Sequence, residues 1–133
     1  MGVNYLIDTH ILLWWVFDSP KLKASSRAII ANPEHLIFVS SASAWEIATK
    51  YRIGKLSKAK TLVETYTQTL NQGRFLELPI TAAHALLAGN LPIEHRDPFD
   101  RMLMVQAETE ELPIVTYDSA FQTGRIQVIP STD

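Results

Sequence analysis

The stretch VNYLIDTHILLWWVF, Val3 to Phe17, decides how the rest of the chain is read. Its first five residues, Val3 to Ile7, are β-rich and run directly into Asp8, the pattern of a short buried strand. HILLWWVF then follows, apolar nearly all round. A helix of that kind is covered on more than one side, so part of it is expected to face a partner subunit. A strand that delivers straight into a buried helix is the first half of a β-α-β unit.

The same alternation continues. DSPKLKASSRAIIANP predicts a helix capped by Ser19, with Pro20 at the first helical position. HLIFVS (His35 to Ser40) predicts the second strand, and SASAWEIATKYRIG a helix closed by Gly54. KLSKAK reads as a polar link and TLVETYTQTLNQG as one amphipathic helix. FLELPI predicts a third strand, TAAHALLAGNLP a short helix, and Pro98 to about Glu111 a longer one. PIVTY (Pro113 to Tyr117) predicts a fourth strand, SAF a helical turn, and IQVIP an edge strand. Strands alternating with helices imply a mainly parallel sheet with helices on both faces, joined by right-handed crossovers. The active site of such a fold lies outside the carboxyl ends of its strands.

Composition narrows the class. The chain has 133 residues, 47% of them hydrophobic, which suits a single domain over residues 1–133 with one packed interior. Formal net charge is −2, so nucleic-acid binding would rest on a local patch rather than a global basic surface. There is no cysteine, which excludes disulfides, thiolate metal sites and thiol catalysis and suits a reducing cytoplasm. The longest apolar run, Ile11 to Phe17, is far short of the roughly 20 residues of a membrane span. It follows polar residues and lacks the flanks of a signal peptide. The expectation is a soluble cytoplasmic protein.

The acids carry the functional signal. Asp8 follows the first strand and is a good helix cap. Glu46 has the spacing of a capping box with Ser43 and of a surface ion pair with Lys50. Asp97, Pro98 and Asp100 fit an N-cap, first position and third position of one helix, where acid favours the helix dipole. Asp118 follows the fourth strand and could cap the next turn. Each acid has a structural reading, yet all of them fall where strands end or helices begin. If they share an edge, like charges oppose one another and a cation is needed to hold them. Oxygen ligands without Cys or clustered His suit Mg²⁺ or Mn²⁺. Two such ions roughly 3.5–4 Å apart would clamp the attacking and leaving oxygens of a phosphodiester. Thr9 and Thr116 lie beside these acids, as ligand-orienting hydroxyls or simply as β-branched strand-end residues.

YLIDTHILLWW, SSASAWEIATKYRIGKL, LPIEHRDPFDRMLMVQA and LPIVTYDSAF, taken in that order, resemble the PIN-domain family. More narrowly, they resemble the VapC-type toxin ribonucleases of bacterial toxin–antitoxin pairs. The resemblance spans almost the whole chain. It implies a three-layer α/β/α sandwich around the parallel sheet, Mg²⁺ or Mn²⁺ dependence and cleavage of RNA to 5′-phosphate and 3′-hydroxyl ends. It also implies homodimerisation and inhibition by a small antitoxin. By position it makes Asp8, Glu46, Asp100 and Asp118 the catalytic acids and metal ligands. Asp97 belongs to the HRDPFDR variety of the motif, as a helix cap or an aid to the metal site.

Arg96 and Arg101 flank the acids and are candidates for RNA phosphate or for pairing with the carboxylates. Lys50, Arg52, Lys55, Lys58 and Lys60 form a local basic run that is either a solvated face or a phosphate contact. Trp14 and Trp15 point about 100° apart on one helix, which places one of them at a dimer or antitoxin contact. Three other classes compete. A haloacid-dehalogenase-type Mg²⁺ phosphatase needs a second Asp two residues after the first, where this chain has His10. A response-regulator receiver needs adjacent acids after strand one and a late Lys. A non-catalytic dimeric binding module would use the acids only as caps.

Overall fold

A computed structural model describes residues 2–130. Five strands alternate with helices: β1 (Asn4–Ile7), α1 (Thr9–Val16), α2 (Ala24–Ala31), β2 (Leu36–Ser40), α3 (Ser41–Arg52), α4 (Lys60–Glu64), α5 (Tyr66–Gln72), β3 (Phe75–Leu78), α6 (Ala82–Gly89), α7 (Pro98–Thr109), β4 (Ile114–Val115) and β5 (Val128–Ile129). Short 3-10 turns lie at Ser57–Ala59 and Ser119–Phe121. The sheet is parallel throughout, in the order β3-β2-β1-β4-β5. The chain builds outward from β1 to β3, then returns to add β4 on the other side of β1. The β1/β4 seam is therefore the switch point, where such sheets open a crevice at their carboxyl ends.

Side-chain alternation sorts the core into two halves. Ile7, Ile37, Val39 and Val115 pack with Ile11, Leu12, Ile30, Ile47, Leu62 and Leu70. Their strand neighbours Leu6, Phe38 and Ile114 belong to a second cluster with Ala88, Leu103, Met104 and Phe121. Period-two alternation thus gives the sheet two apolar faces. Helices α1 to α5 cover one and α6 with α7 the other, the expected α/β/α layering. Among the described residues no helix is long and apolar enough to cross a membrane.

Several boundaries differ from the sequence reading. Helix α2 starts at Ala24, not at Pro20. The segment before it is held elsewhere: Leu22 is buried, the Lys23 backbone N–H donates to the Tyr117 hydroxyl at 2.9 Å, and Ser19 Oγ accepts from Lys21 N in a local turn. The single amphipathic helix expected over Thr61–Gln72 is two helices. Thr65 leaves helical geometry at φ −122°, ψ 30°, and its hydroxyl donates to the Thr61 carbonyl at 2.8 Å. A threonine bonded back to the preceding turn bends a helix in this way. The polar link KLSKAK contains the first 3-10 turn. Strands β4 and β5 have two residues each, but Asp8 N→Val115 O and Thr116 N→Ile129 O, at 3.0 and 2.9 Å, carry the ladder past their ends. Trp14 and Trp15 both pack at the margin of one core cluster, Trp14 on Tyr117 and Trp15 edge-on to Phe75. The strongly exposed tryptophan is Trp45, at 62%.

Arg101 organises the approach to α7. Its guanidinium donates to the carbonyls of Ala88, Leu91, Ile93 and His95 at 2.7–3.0 Å. These bonds fix the irregular segment between α6 and α7 from inside. Arg101→Met leaves those carbonyls without their donor, and bonds from a charged group are worth roughly 1.5–3 kcal/mol each before compensation by water. Urea unfolding of Arg101→Met is expected to show a loss of about 2–4 kcal/mol. A loss under about 0.5 kcal/mol would show that solvent replaces the clamp.

Candidate active site

Asp8 leaves β1 at the switch point and is 4% exposed. It occupies the N-cap position of α1, yet its carboxylate makes no cap hydrogen bond. The Thr116 hydroxyl, just past β4, instead donates to Asp8 Oδ2 at 2.7 Å. Thr116 Oγ1 accepts in turn from the Asp118 backbone N–H at 3.1 Å. Burial pushes the Asp8 carboxyl above its ordinary range; Thr116, His10 and the Thr9 N–H pull the other way, and the Glu46 charge adds to the rise.

Glu46 reaches the same edge from α3. That helix begins at Ser41 because Ser40 Oγ accepts from Ala42 N at 3.0 Å. Ser43 is therefore inside the helix and forms no capping box with Glu46. Its hydroxyl meets Thr9 Oγ1 at 2.8 Å, both groups buried. The Thr9 hydroxyl thus joins α1 to α3, while the Thr9 N–H reaches the Asp8 carboxylate. Glu46 lies in the second turn, 2% exposed. One oxygen, Oε2, pairs with Lys50, so the i, i+4 pair exists but its acidic end is buried, not on the surface. The other oxygen, Oε1, is buried without a partner among the described residues.

The DPFD segment starts α7 as the sequence predicts. Asp97 Oδ1 caps the N–H groups of Phe99 at 2.9 Å and Asp100 at 3.4 Å, with Pro98 at the first position. Asp100 is thereby set one turn in, 9% exposed. His95 Nε2 holds its Oδ2 at 2.8 Å. Burial pushes the Asp100 carboxyl up to about 6; His95 opposes the rise, and Asp97, Asp8 and Glu46 add to it. Beside the acids, Trp45 and Phe99 meet edge to face at 4.9 Å and fix α3 against α7.

Asp8, Glu46 and Asp100 thus come from three separate elements and feel one another's charge. Asp97 joins them through Asp100 and Lys50. Asp118 stands apart: it is exposed, and its Oδ1 caps Ala120 N at 2.9 Å. Among the described residues no three His, Asp or Glu side chains form a ready-made metal cage. Arg96 is exposed. Arg101 is engaged by four backbone carbonyls and is not presented to a phosphate or a carboxylate, a correction to its sequence reading. From the sequence, His95 lies near the site but, as a lone histidine, has no assigned role; the structure gives it Asp100 as partner. Sequence reasoning missed Ser43 as the partner of Thr9, because its capping-box spacing masked it.

The PIN domain model matches residues 5–125. Solved structures that share the fold include two VapBC complexes. VapBC2 from Rickettsia felis, bound to a DNA fragment from its promoter, is 18% identical with a TM-score of 0.66, and the match covers 95% of this chain and 97% of that one. DNA-bound VapBC from Salmonella typhimurium is 18% identical with a TM-score of 0.66, covering 95% and 96%. Comparison with curated proteins returned no match. With a five-stranded parallel sheet, acids at its switch point and a family match over nearly its full length, the chain belongs to the PIN domain family.

Proposed function

We propose that this protein is a divalent-metal-dependent endoribonuclease and the VapC-type toxin of a cytoplasmic toxin–antitoxin pair. The observation that carries the reading is the gathering of Asp8, Glu46 and Asp100 at the β1/β4 switch point, with Glu46 Oε1 buried and unpartnered. The fold shared with two VapBC assemblies supports a small antitoxin as partner. A buried oxygen without a donor costs roughly 1–3 kcal/mol, and three mutually repelling carboxylates add to that strain. Hard oxygen donors of this kind fit Mg²⁺ or Mn²⁺. Asp8, Glu46 and Asp100 would hold the ion. Asp97 and Asp118 each use Oδ1 as a cap, and in this reading their second oxygens would serve the rim of the site.

A bound divalent ion supplies positive charge that lowers the pKa of an attacking water and offsets charge on the phosphoryl oxygens. The chain's own residues do the rest. Thr116 fixes which oxygen of Asp8 is free, and His95 does the same for Asp100. Both acids are pushed towards protonation by burial and by each other, so a cation is favoured over the metal-free state. Exposed Arg96, with Arg52 at the end of α3 and Lys55 and Lys58 in the segment after it, is available to the RNA backbone.

The reading includes a homodimer. Leu86 and Leu87 on α6 are 75% and 51% exposed, and Trp45 lies exposed on α3. The two neighbouring leucines of α6 are the association surface this reading uses.

Three measurements test the proposal. Sequencing RNA ends after incubation of total RNA with the free protein and Mg²⁺ should reveal defined 5′-phosphate termini. Asp8→Asn should reduce them at least about a hundredfold, with the fold intact by circular dichroism. Native-rate cleavage by Asp8→Asn would remove Asp8 from the site. The second is pH dependence without metal. The folded state keeps a proton on Asp100 up to about pH 6, whereas the unfolded carboxyl loses it near its ordinary value of 3.8. Between these values the folded form holds more protons, so stability must fall as pH rises. Melting in EDTA should drop across that window, and Asp100→Asn should flatten the drop and melt about 3–6 °C higher at pH 7. A flat wild-type profile would contradict the electrostatic account. Third, sedimentation should show a dimer that Leu86→Glu shifts towards monomer; a wild-type monomer at high concentration removes the dimer.

A further inference from the structure

Lys50 sits four residues after Glu46 on α3, and its ammonium pairs with Glu46 Oε2. The two ends of the pair differ in exposure, 3% for the Glu46 side chain and 31% for that of Lys50. The ammonium therefore lies on the solvent side of a buried carboxylate. Asp97 and Asp100 also act on it, so its surroundings are the acids assigned above to the divalent ion. Burial works against the Lys50 charge, yet these acids outweigh it and hold its proton more firmly than usual.

An ion entering this group meets a positive charge already in place. Two like charges a few ångströms apart in a partly buried site oppose one another strongly. Lysine carries a compact point charge on a flexible four-carbon stem. With a third of its side chain already in solvent, it can leave without moving the backbone. The unpartnered Glu46 Oε1 shows that the pair does not saturate the acid.

We propose that Lys50 is a tethered counter-ion of the acidic site, neutralising the carboxylates in the metal-free protein and withdrawing to solvent when a divalent cation binds. This rests on the metal reading above. Lys50 is thus a positioning residue that sets the cation affinity and stability of the site. The competing role, in which Lys50 stays to aim Glu46 at the ion, gives effects of opposite sign.

The test compares melting of wild type, Lys50→Gln and Lys50→Arg in EDTA and across a Mn²⁺ titration. Gln keeps a donor for Glu46 Oε2 and removes only the charge. Lys50→Gln is expected to melt below wild type in EDTA and to lose that deficit in saturating Mn²⁺. Its Mn²⁺ midpoint should be about tenfold lower than wild type's. Lys50→Arg, which keeps the charge, should titrate like wild type. An equal deficit with and without Mn²⁺ would make Lys50 merely structural, and a higher midpoint would make it an aiming residue; either overturns the proposal. A second readout needs no variant: acetylation of Lys50 in the wild-type protein, followed by mass spectrometry, should speed up several-fold on adding Mn²⁺ while Lys58 does not change. An unchanged or slower Lys50 rate overturns withdrawal. A wild type whose melting ignores Mn²⁺ would instead sink the metal reading itself, a separate result.

Discussion

The hydrogen bond from Thr116 to Asp8 crosses the seam between the two central strands, and the candidate site is built around it. It ties the end of β1 to the end of β4, elements more than a hundred residues apart in sequence. It also makes a carboxylate tolerable where little water reaches. A buried acid without a donor would favour its neutral form; Thr116 and the Thr9 N–H oppose that, and Glu46 and burial promote it. Asp8 is therefore held in a balance that any cation would tip.

The layers of the fold serve this balance. Alternation along β1 sends Leu6 to one core and Ile7 to the other, so the strand end is fixed from both faces. On one side α3 brings Glu46, with its start set by Ser40 and its position steadied by the buried Thr9–Ser43 contact. On the other side α7 brings Asp100, with its start set by Asp97 and Pro98. Trp45 and Phe99 neighbour Glu46 and Asp100 in the chain, and their edge-to-face contact couples the two helices that carry those acids.

The alternation of strands and helices was legible because it is written in apolar periodicity. So was the start of α7, where cap, proline and acid occur in the order that backbone geometry demands. Less was legible wherever a side chain had a choice of partners. Ser19 and Pro20 make a plausible helix start, but Leu22 burial and the Tyr117 hydroxyl hold that segment in another conformation. Thr65 carries no breaker signal, yet its hydroxyl divides a helix. Ser43 and Glu46 have capping-box spacing, but the cap is three residues earlier. Glu46 and Lys50 were readable as a pair; that the acid is buried depends on α3 packing against α7, which no local pattern encodes. The cap expected of Asp118 after its strand is present, with Oδ1 accepting from Ala120 N at the surface.

Arg101 has a consequence for how this molecule can change over generations. It grips Ala88, Leu91, Ile93 and His95 by their carbonyl oxygens, which every amino acid possesses. The path of the segment leading to Asp97 is therefore set from below by one guanidinium. The exposed side chains along it, such as Glu94 and Arg96, are free of that task. Shape and surface identity are uncoupled there, so mutation can rewrite what this rim presents to a partner while the acids beneath it keep their places.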